Sequence, residues 1–209
     1  MSIRVVIADD HAILRDALTV FLEKHDFIVA GEAEDGASAV RIVRSVRPQI
    51  VIMDLSMPVM NGIDAAEEIR RDCGIPVILL TMHSDEQHVL RAFRAGVSAF
   101  VLKSKAAADL LLAIREVRRG NVYLSPGISA TVVREMLHKG TLRKEVLTLR
   151  ERQVLQLVAE GKSTKELASI LGISDRTGGS HRTRIMDKLE IHETASLVRY
   201  AIREGLIEA

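Results

Sequence analysis

The sequence predicts an α/β domain, a doubly wound parallel sheet of five strands in the order 2-1-3-4-5, followed by a smaller all-α domain of four helices built around a helix-turn-helix. Three observations predict it. Residues 1–120 alternate short apolar runs with amphipathic stretches, the pattern of βα units. After Thr148 helical periods follow one another with no strand signal between them. Gly172-Ile173-Ser174 then separates two of those periods as a tight turn between helices.

The five strands fall at residues 3–8, 27–33, 49–54, 76–81 and 97–103. Helical periods lie between them at residues 12–23, 37–46, 63–70, 86–95 and 106–119, and the first turns Leu14, Leu18, Phe21 and Leu22 inward. Asp35-Gly36, Arg47-Pro48, Asn61-Gly62, Gly74-Ile75-Pro76 and Ala95-Gly96 supply the turns. Residues 121–146 read as a connector with Ser125-Pro126-Gly127 and a helix at residues 129–138. The second domain, residues 147–209, has helices at residues 149–160, 164–171, 175–189 and 193–204.

The 209 residues suit two domains of ordinary size. Hydrophobic residues make up 47% and charged residues 27%, and no apolar run approaches the roughly 18 residues of a membrane span, so no membrane role is expected. The first ten residues lack the basic flank and cleavage site of a secretory signal, which points to a cytoplasmic chain. One cysteine, Cys73, excludes an internal disulfide framework, and the seven histidines show no paired metal-ligand spacing. Residues 1–120 carry 15 Lys/Arg against 17 Asp/Glu, and residues 121–209 carry 14 against 11, so the second half is the one suited to meet phosphate.

Asp9-Asp10 ends the first strand, Asp54 the third, Thr81 the fourth and Lys103 the fifth. In the order 2-1-3-4-5 these ends converge at the switch point, where ligands of doubly wound sheets bind. Three carboxylates crowded together call for a divalent cation, and oxygen donors favour Mg²⁺. Such a pocket suits phosphoryl transfer to a carboxylate. Asp54 is the expected nucleophile and phosphoacceptor, because Pro58 and Asn61-Gly62 fix the loop behind it. Asp10 and Asp54 are expected to ligate the cation directly, Asp9 through water, and Ser56 through its carbonyl. Lys103 would pair with the phosphoryl oxygens and Thr81 would bond to them. His11 and His83 are read as surface or loop-edge residues, and Asp16, Asp35 and Asp64 as solvated or capping groups.

Ala8-Asp9-Asp10-His11, Met53-Asp54-Leu55-Ser56-Met57-Pro58, Asn61-Gly62, Leu80-Thr81-Met82 and Val101-Leu102-Lys103 together resemble the receiver domain of bacterial response regulators, over nearly all of residues 1–120. The resemblance implies a flavodoxin-like or CheY-like fold and phosphorylation of Asp54 by a partner histidine kinase. It also implies that the domain catalyses its own transfer and later hydrolysis rather than acting as a stand-alone enzyme, and that Phe100 is an aromatic switch residue turning inward with Thr81. Ser104 stands where many receivers have proline. Haloacid-dehalogenase-type phosphatases share the aspartyl-phosphate chemistry but require a carboxylate two residues after the nucleophile, where this chain has Ser56.

In the second half, residues 147–155, Gly161 to Ala168, Leu171-Gly172-Ile173-Ser174, Thr177 and His181 resemble the LuxR-type helix-turn-helix of the NarL/FixJ subfamily, over residues 147–207. Residues 164–171 form a supporting helix, Ser174 caps the next, and residues 175–189 offer a basic face to a major groove. Ile185 and Leu189 point inward toward Leu155, Leu167, Ala168 and Leu197, while Arg176, His181, Arg182, Arg184 and Lys188 carry outward charge. The expected DNA contacts are Lys165, Arg176, Thr177, Gly179, Ser180, His181, Arg182, Thr183 and Lys188. Gly178-Gly179 departs from the family, which places a small apolar residue, typically Val, and then a polar one there. Two helical glycines cost about 1 kcal/mol each relative to Ala, and restoring Gly178→Val and Gly179→Lys is expected to strengthen binding.

The leading expectation is a transcription regulator that dimerises when phosphorylated and binds promoter half-sites in double-stranded DNA, with RNA polymerase as a further partner. The alternative is a phospho-dependent protein-interaction regulator whose DNA reading has decayed through Gly178-Gly179.

Overall fold

The computed structural model describes residues 2–82, 86–126, 128 and 146–207. His83 and the helix expected at residues 129–138 lie outside the described residues. The chain divides into two compact units. Among the described residues no helix is long and apolar enough to cross a membrane.

The first unit is a parallel sheet wrapped by helices. Its strands are β1 (Ile3–Ala8), β2 (Phe27–Ala33), β3 (Ile50–Asp54), β4 (Val77–Thr81), β5 (Ala99–Leu102) and β6 (Tyr123–Leu124), in the order β2-β1-β3-β4-β5-β6. The helices are α1 (Ala12–Glu23), α2 (Gly36–Val46), α3 (Gly62–Cys73), α4 (Glu86–Arg94) and α5 (Ala106–Arg118). Every residue of β3 and β4 is buried. That explains why these strands read as continuous apolar runs, since helices cover both faces of a parallel sheet. Val5, Ile7, Leu18, Leu22, Ile52, Ile78, Leu80 and Val101 pack in one core with Leu110 and Ile114 of α5.

The five expected strands pair in the expected order, and a sixth extends the sheet. Tyr123 pairs with Ala99 and Leu124 with Phe100, in a stretch expected as connector. Two residues are too short to produce a periodic signal. The strand is held instead by the next residue, Ser125, which is fully buried. Its N–H bonds to the Phe100 carbonyl at 3.0 Å, its hydroxyl accepts from the Leu102 N–H at 3.2 Å, and the same hydroxyl donates to Asp109 of α5 at 2.5 Å.

The second unit holds α6 (Leu149–Ala159), α7 (Thr164–Leu171), α8 (Asp175–Leu189) and α9 (Thr194–Arg203). Three of the four starts carry a local side-chain cap. Thr148 and Ser163 form capping boxes with Glu151 and Glu166, and Ser174 accepts from the Thr177 N–H. Gly172 ends α7 with φ +63°, a left-handed conformation that favours glycine and turns the chain into α8. Leu155, Leu167, Ile185 and Leu197 meet in the core, with Leu189 packed against it, and Ala168 is buried.

Candidate phosphoacceptor site and nucleic-acid interface

Parallel strands bring their carboxyl ends to one edge. Ala8 pairs with Met53, Asp54 with Leu80, and Thr81 with Leu102, so Asp9, Asp54, Thr81 and Lys103 emerge side by side. The Lys103 ammonium lies 2.9 Å from Asp54 Oδ2 and 3.0 Å from Asp9 Oδ2. Asp9 is fully buried, Asp54 and Thr81 nearly so, and Asp10 is exposed.

Asp9 is fixed from several sides. Its Oδ1 accepts the His11 N–H at 2.9 Å, and its carbonyl accepts from Arg15 at 2.6 Å. Carboxylate oxygens of Asp9, Asp10 and Asp54, with an imidazole nitrogen of His11, all lie within 4.8 Å of one another. A donor set dominated by oxygen fits a hard divalent cation. His11 is 71% exposed, as a surface residue should be, yet its Nδ1 stands 2.7 Å from Asp10 Oδ1.

Burial, opposed by Lys103 and reinforced by Asp9 and Asp10, pushes the Asp54 carboxyl up to about 6. The Lys103 ammonium is raised as well: burial works against its charge, but the bonds and charges of Asp54 and Asp9 prevail. A carboxylate with one cationic neighbour, held at a strand tip, can act as a nucleophile toward a phosphoryl group whose charge that neighbour helps to neutralise. Phe100, on β5, is 1% exposed. Ser56 is half-buried in the loop after Asp54.

In the second unit α8 runs unbroken through Gly178 and Gly179. Arg176, Thr177, Ser180, Thr183 and Arg184 are exposed along it, as is Lys165 on α7. Two of the remaining expected contacts, Arg182 and Lys188, are tied to the domain itself. Arg182 donates to the Thr194 hydroxyl at 2.8 Å. His181 is half-buried, and its Nδ1 is enclosed without a hydrogen-bond partner among the described residues. Lys188 has its ammonium 2.7 Å from the buried Glu151 carboxylate, so its charge is held within the domain.

Two family models match the chain: "Response regulator receiver domain" over residues 5–115 and "Bacterial regulatory proteins, luxR family" over residues 145–201. The chain is 36% identical to the transcriptional regulatory protein MctR of Rhizobium johnstonii, over 99% of this chain and 96% of that one. It is 37% identical to LiaR of Bacillus subtilis, over 98% and 99%. This chain is a LuxR-type two-component response regulator. Among solved structures, the regulator resembles a LuxR-family response regulator from Aurantimonas sp. SI85-9A1, with a TM-score of 0.62 and 34% identity over 66% of this chain and 99% of that one. It also resembles the response regulator RcsB in complex with DNA, with a TM-score of 0.60 and 27% identity over 96% and 98%.

The regulator also corrects one reading. Asp64 was expected as a solvated or capping group, but its side chain is fully buried and its Oδ1 accepts from Arg91 of α4 at 2.6 Å. Asp35 does cap α2, accepting the Ser38 N–H at 2.7 Å, and Asp16 is exposed. Sequence spacing could not separate these aspartates, because the cation that allows Asp64 to be buried comes from 27 residues away. A Cβ on Gly178 would stand 2.9 Å from Cδ1 of Leu167, the far end of a flexible side chain that would have to shift to admit it; at Gly179 the nearest atom is Thr164 Cγ2 at 3.9 Å.

Proposed function

We propose that the regulator accepts a phosphoryl group on Asp54 from the phosphohistidine of a histidine kinase, and that the modified chain dimerises and binds paired half-sites in double-stranded DNA. The receiver comprises residues 1–120 with β6 added, residues 147–209 form the DNA-binding domain, and RNA polymerase is a further partner of the bound dimer. The observation that carries this reading is Lys103, set between Asp54 and Asp9 on a chain that also holds a helix-turn-helix.

Asp10, Asp54 and the Ser56 carbonyl would hold Mg²⁺ directly and Asp9 would hold it through water; when bound, the cation neutralises charge on the phosphoryl oxygens. An Asp54 oxygen forms a bond to phosphorus while the phosphorus–nitrogen bond to the donor imidazole breaks, and the imidazole keeps the electron pair. Lys103 pairs with one phosphoryl oxygen and the Thr81 hydroxyl donates to another, drawing Thr81 and Phe100 toward the site. In the later hydrolysis a water oxygen bonds to phosphorus as the bond to Asp54 breaks, the water's protons pass to the phosphate and to solvent, and orthophosphate leaves with the carboxylate restored.

DNA reading is supported by the continuity of α8 through its two glycines and by the complex of the relative RcsB with DNA. Arg176, Thr177, Gly179, Ser180 and Thr183 would face the groove, Lys165, His181 and Arg182 would flank it, and Lys188, its charge committed to Glu151, would border it without neutralising a phosphate. The test is intact mass after acetyl phosphate and Mg²⁺, for wild type and Asp54→Ala, followed by sedimentation and DNA titration at fixed salt. Wild type should gain one phosphoryl group, double its mass in solution and bind DNA more tightly, and Asp54→Ala should do none of these. Equal labelling of Asp54→Ala would overturn the assignment.

A further inference from the structure

We propose that Asp64 and Arg91 are positioning residues for the phosphoacceptor loop, a buried ion pair that ties the backbone behind Asp54 to helix α4. The inference rests on the reading of Asp54 as phosphoacceptor.

The chain leaves β3 at Asp54 and returns at Gly62, so closely that a Cβ on Gly62 would stand 2.0 Å from the Asp54 carbonyl oxygen. Only glycine fits there. The Gly62 N–H donates to the Leu55 carbonyl at 2.8 Å, closing the loop on itself. The first residue of α3 and the backbone of Asp54 therefore move together. Asn61 caps α3 by accepting the Asp64 N–H at 3.0 Å, and its amide donates back to Asp64 Oδ2 at 3.1 Å. The other carboxylate oxygen, Oδ1, receives Arg91 at 2.6 Å. Asp64 is thus bonded through one oxygen to the phosphoacceptor loop and through the other to α4.

Its burial is what gives the pair leverage. The Asp64 side chain is 0% exposed and that of Arg91 14%, so neither charge has free recourse to water. A buried ion pair contributes little net stability, but separating its members is costly. A shift of α4 that withdraws Arg91 releases Asp64 from its set orientation, which loosens the Asn61 cap and the loop against Asp54. In the opposite direction, a phosphoryl group that displaces the Asp54 backbone pulls on Arg91. The pair links two neighbouring elements through one carboxylate, so each biases the position of the other.

The test uses the full chain with Asp64→Asn, which keeps shape and removes charge, Arg91→Met, which keeps the stem, and the double variant. Asp54 labelling by acetyl phosphate with Mg²⁺ is followed against acetyl phosphate concentration, with hydrogen exchange of residues 88–94 before and after labelling. Both single variants should lower the maximal rate about tenfold, consistent with a small misplacement of a reacting group, and leave the concentration for half-maximal rate unchanged. The double variant should be no slower than the slower single, and labelling should no longer alter exchange in α4. Arg91→Lys should recover part of the rate, and it keeps the test decisive if Arg91→Met fails to fold. Folded variants with wild-type rates, or additive losses in the double variant, would overturn the pair. A wild-type chain that takes no phosphoryl group would instead reject Asp54 itself.

Discussion

Lys103 places its ammonium 2.9 Å from Asp54 Oδ2, and the two side chains are respectively 10% and 5% exposed. This single contact accounts for two opposed properties of the site. The lysine permits a carboxylate to be buried, yet it does not offset burial and the two neighbouring aspartates fully, and the Asp54 carboxyl stays near 6.

Asp54→Asn should stabilise the metal-free chain at neutral pH. A carboxyl raised from 3.8 to about 6 in the folded state binds its proton more tightly than in the unfolded state. Its contribution is favourable at low pH and is lost as pH rises from about 4 through 6, leaving a net cost above that window. Two pH units correspond to about 2–3 kcal/mol at pH 7. Urea unfolding followed by circular dichroism should show a gain at pH 7 that shrinks toward pH 4.5. An equal gain at both values would reject the electrostatic account.

Removing Lys103 should separate cation binding from phosphoryl transfer. Lys103→Ala leaves Asp9 and Asp54 without their shared positive charge, so Mg²⁺ affinity should rise several-fold while labelling by acetyl phosphate falls at least tenfold. Asp10→Ala should lower both. Calorimetric Mg²⁺ titration beside intact-mass labelling distinguishes the patterns, and a parallel fall of both quantities in Lys103→Ala would be the wrong result.

The two glycines of α8 should respond differently to substitution. A Cβ on Gly179 would meet Thr164 Cγ2 at 3.9 Å, an ordinary van der Waals contact, so Gly179→Ala should add about 1 kcal/mol of stability from helix propensity. Gly179→Lys should steepen the salt dependence of DNA binding by about one unit of slope. Gly178→Val must displace Cδ1 of the buried Leu167, so it should bring no gain in thermal midpoint. A double variant more stable than Gly179→Lys alone would contradict this.

Lys188 should matter more to the fold than to DNA. Burial of the Glu151 carboxyl opposes its charge, but bonds from Lys188 and Thr148 hold it below the ordinary glutamate range. That stability is present above the unfolded value of about 4.5 and is lost as pH falls through the lower folded one. Lys188→Met should therefore cost about 1–2 kcal/mol near pH 7, discounted because the lysine is partly exposed. The loss should shrink toward pH 3, with little change in the salt slope of DNA binding. Arg184→Met, on an exposed arginine, should do the reverse.

The strands, their order and the convergence of Asp9, Asp54, Thr81 and Lys103 were legible because each depends on local pattern and on the topology that pattern permits. The capped helices were legible for the same reason: Ser174 and Gly172 act on residues within one turn. What escaped depends on partners distant in sequence. Arg91 determines that Asp64 is buried, Leu167 fills the space beside Gly178, and Glu151 claims the charge of Lys188. None of these pairings leaves a periodic trace. The strand Tyr123–Leu124 escaped because it is secured by bonds of Ser125 to Phe100, Leu102 and Asp109 rather than by a run of its own.

Ser125 also bears on how such proteins exchange parts. A recombination joint placed at Gly120, where the helical signal of α5 fades, would leave behind the residue that satisfies the Leu102 N–H and the Asp109 carboxylate. The edge of β5 would then lose its neighbouring strand. A joint placed after Ile128, itself buried and bonded through its N–H to the Ser125 carbonyl at 2.8 Å, would carry the whole fastening along. Chimeras that graft a foreign output domain onto this receiver should therefore keep residues 121–128 of the receiver, and shuffling in evolution should have favoured breakpoints beyond them.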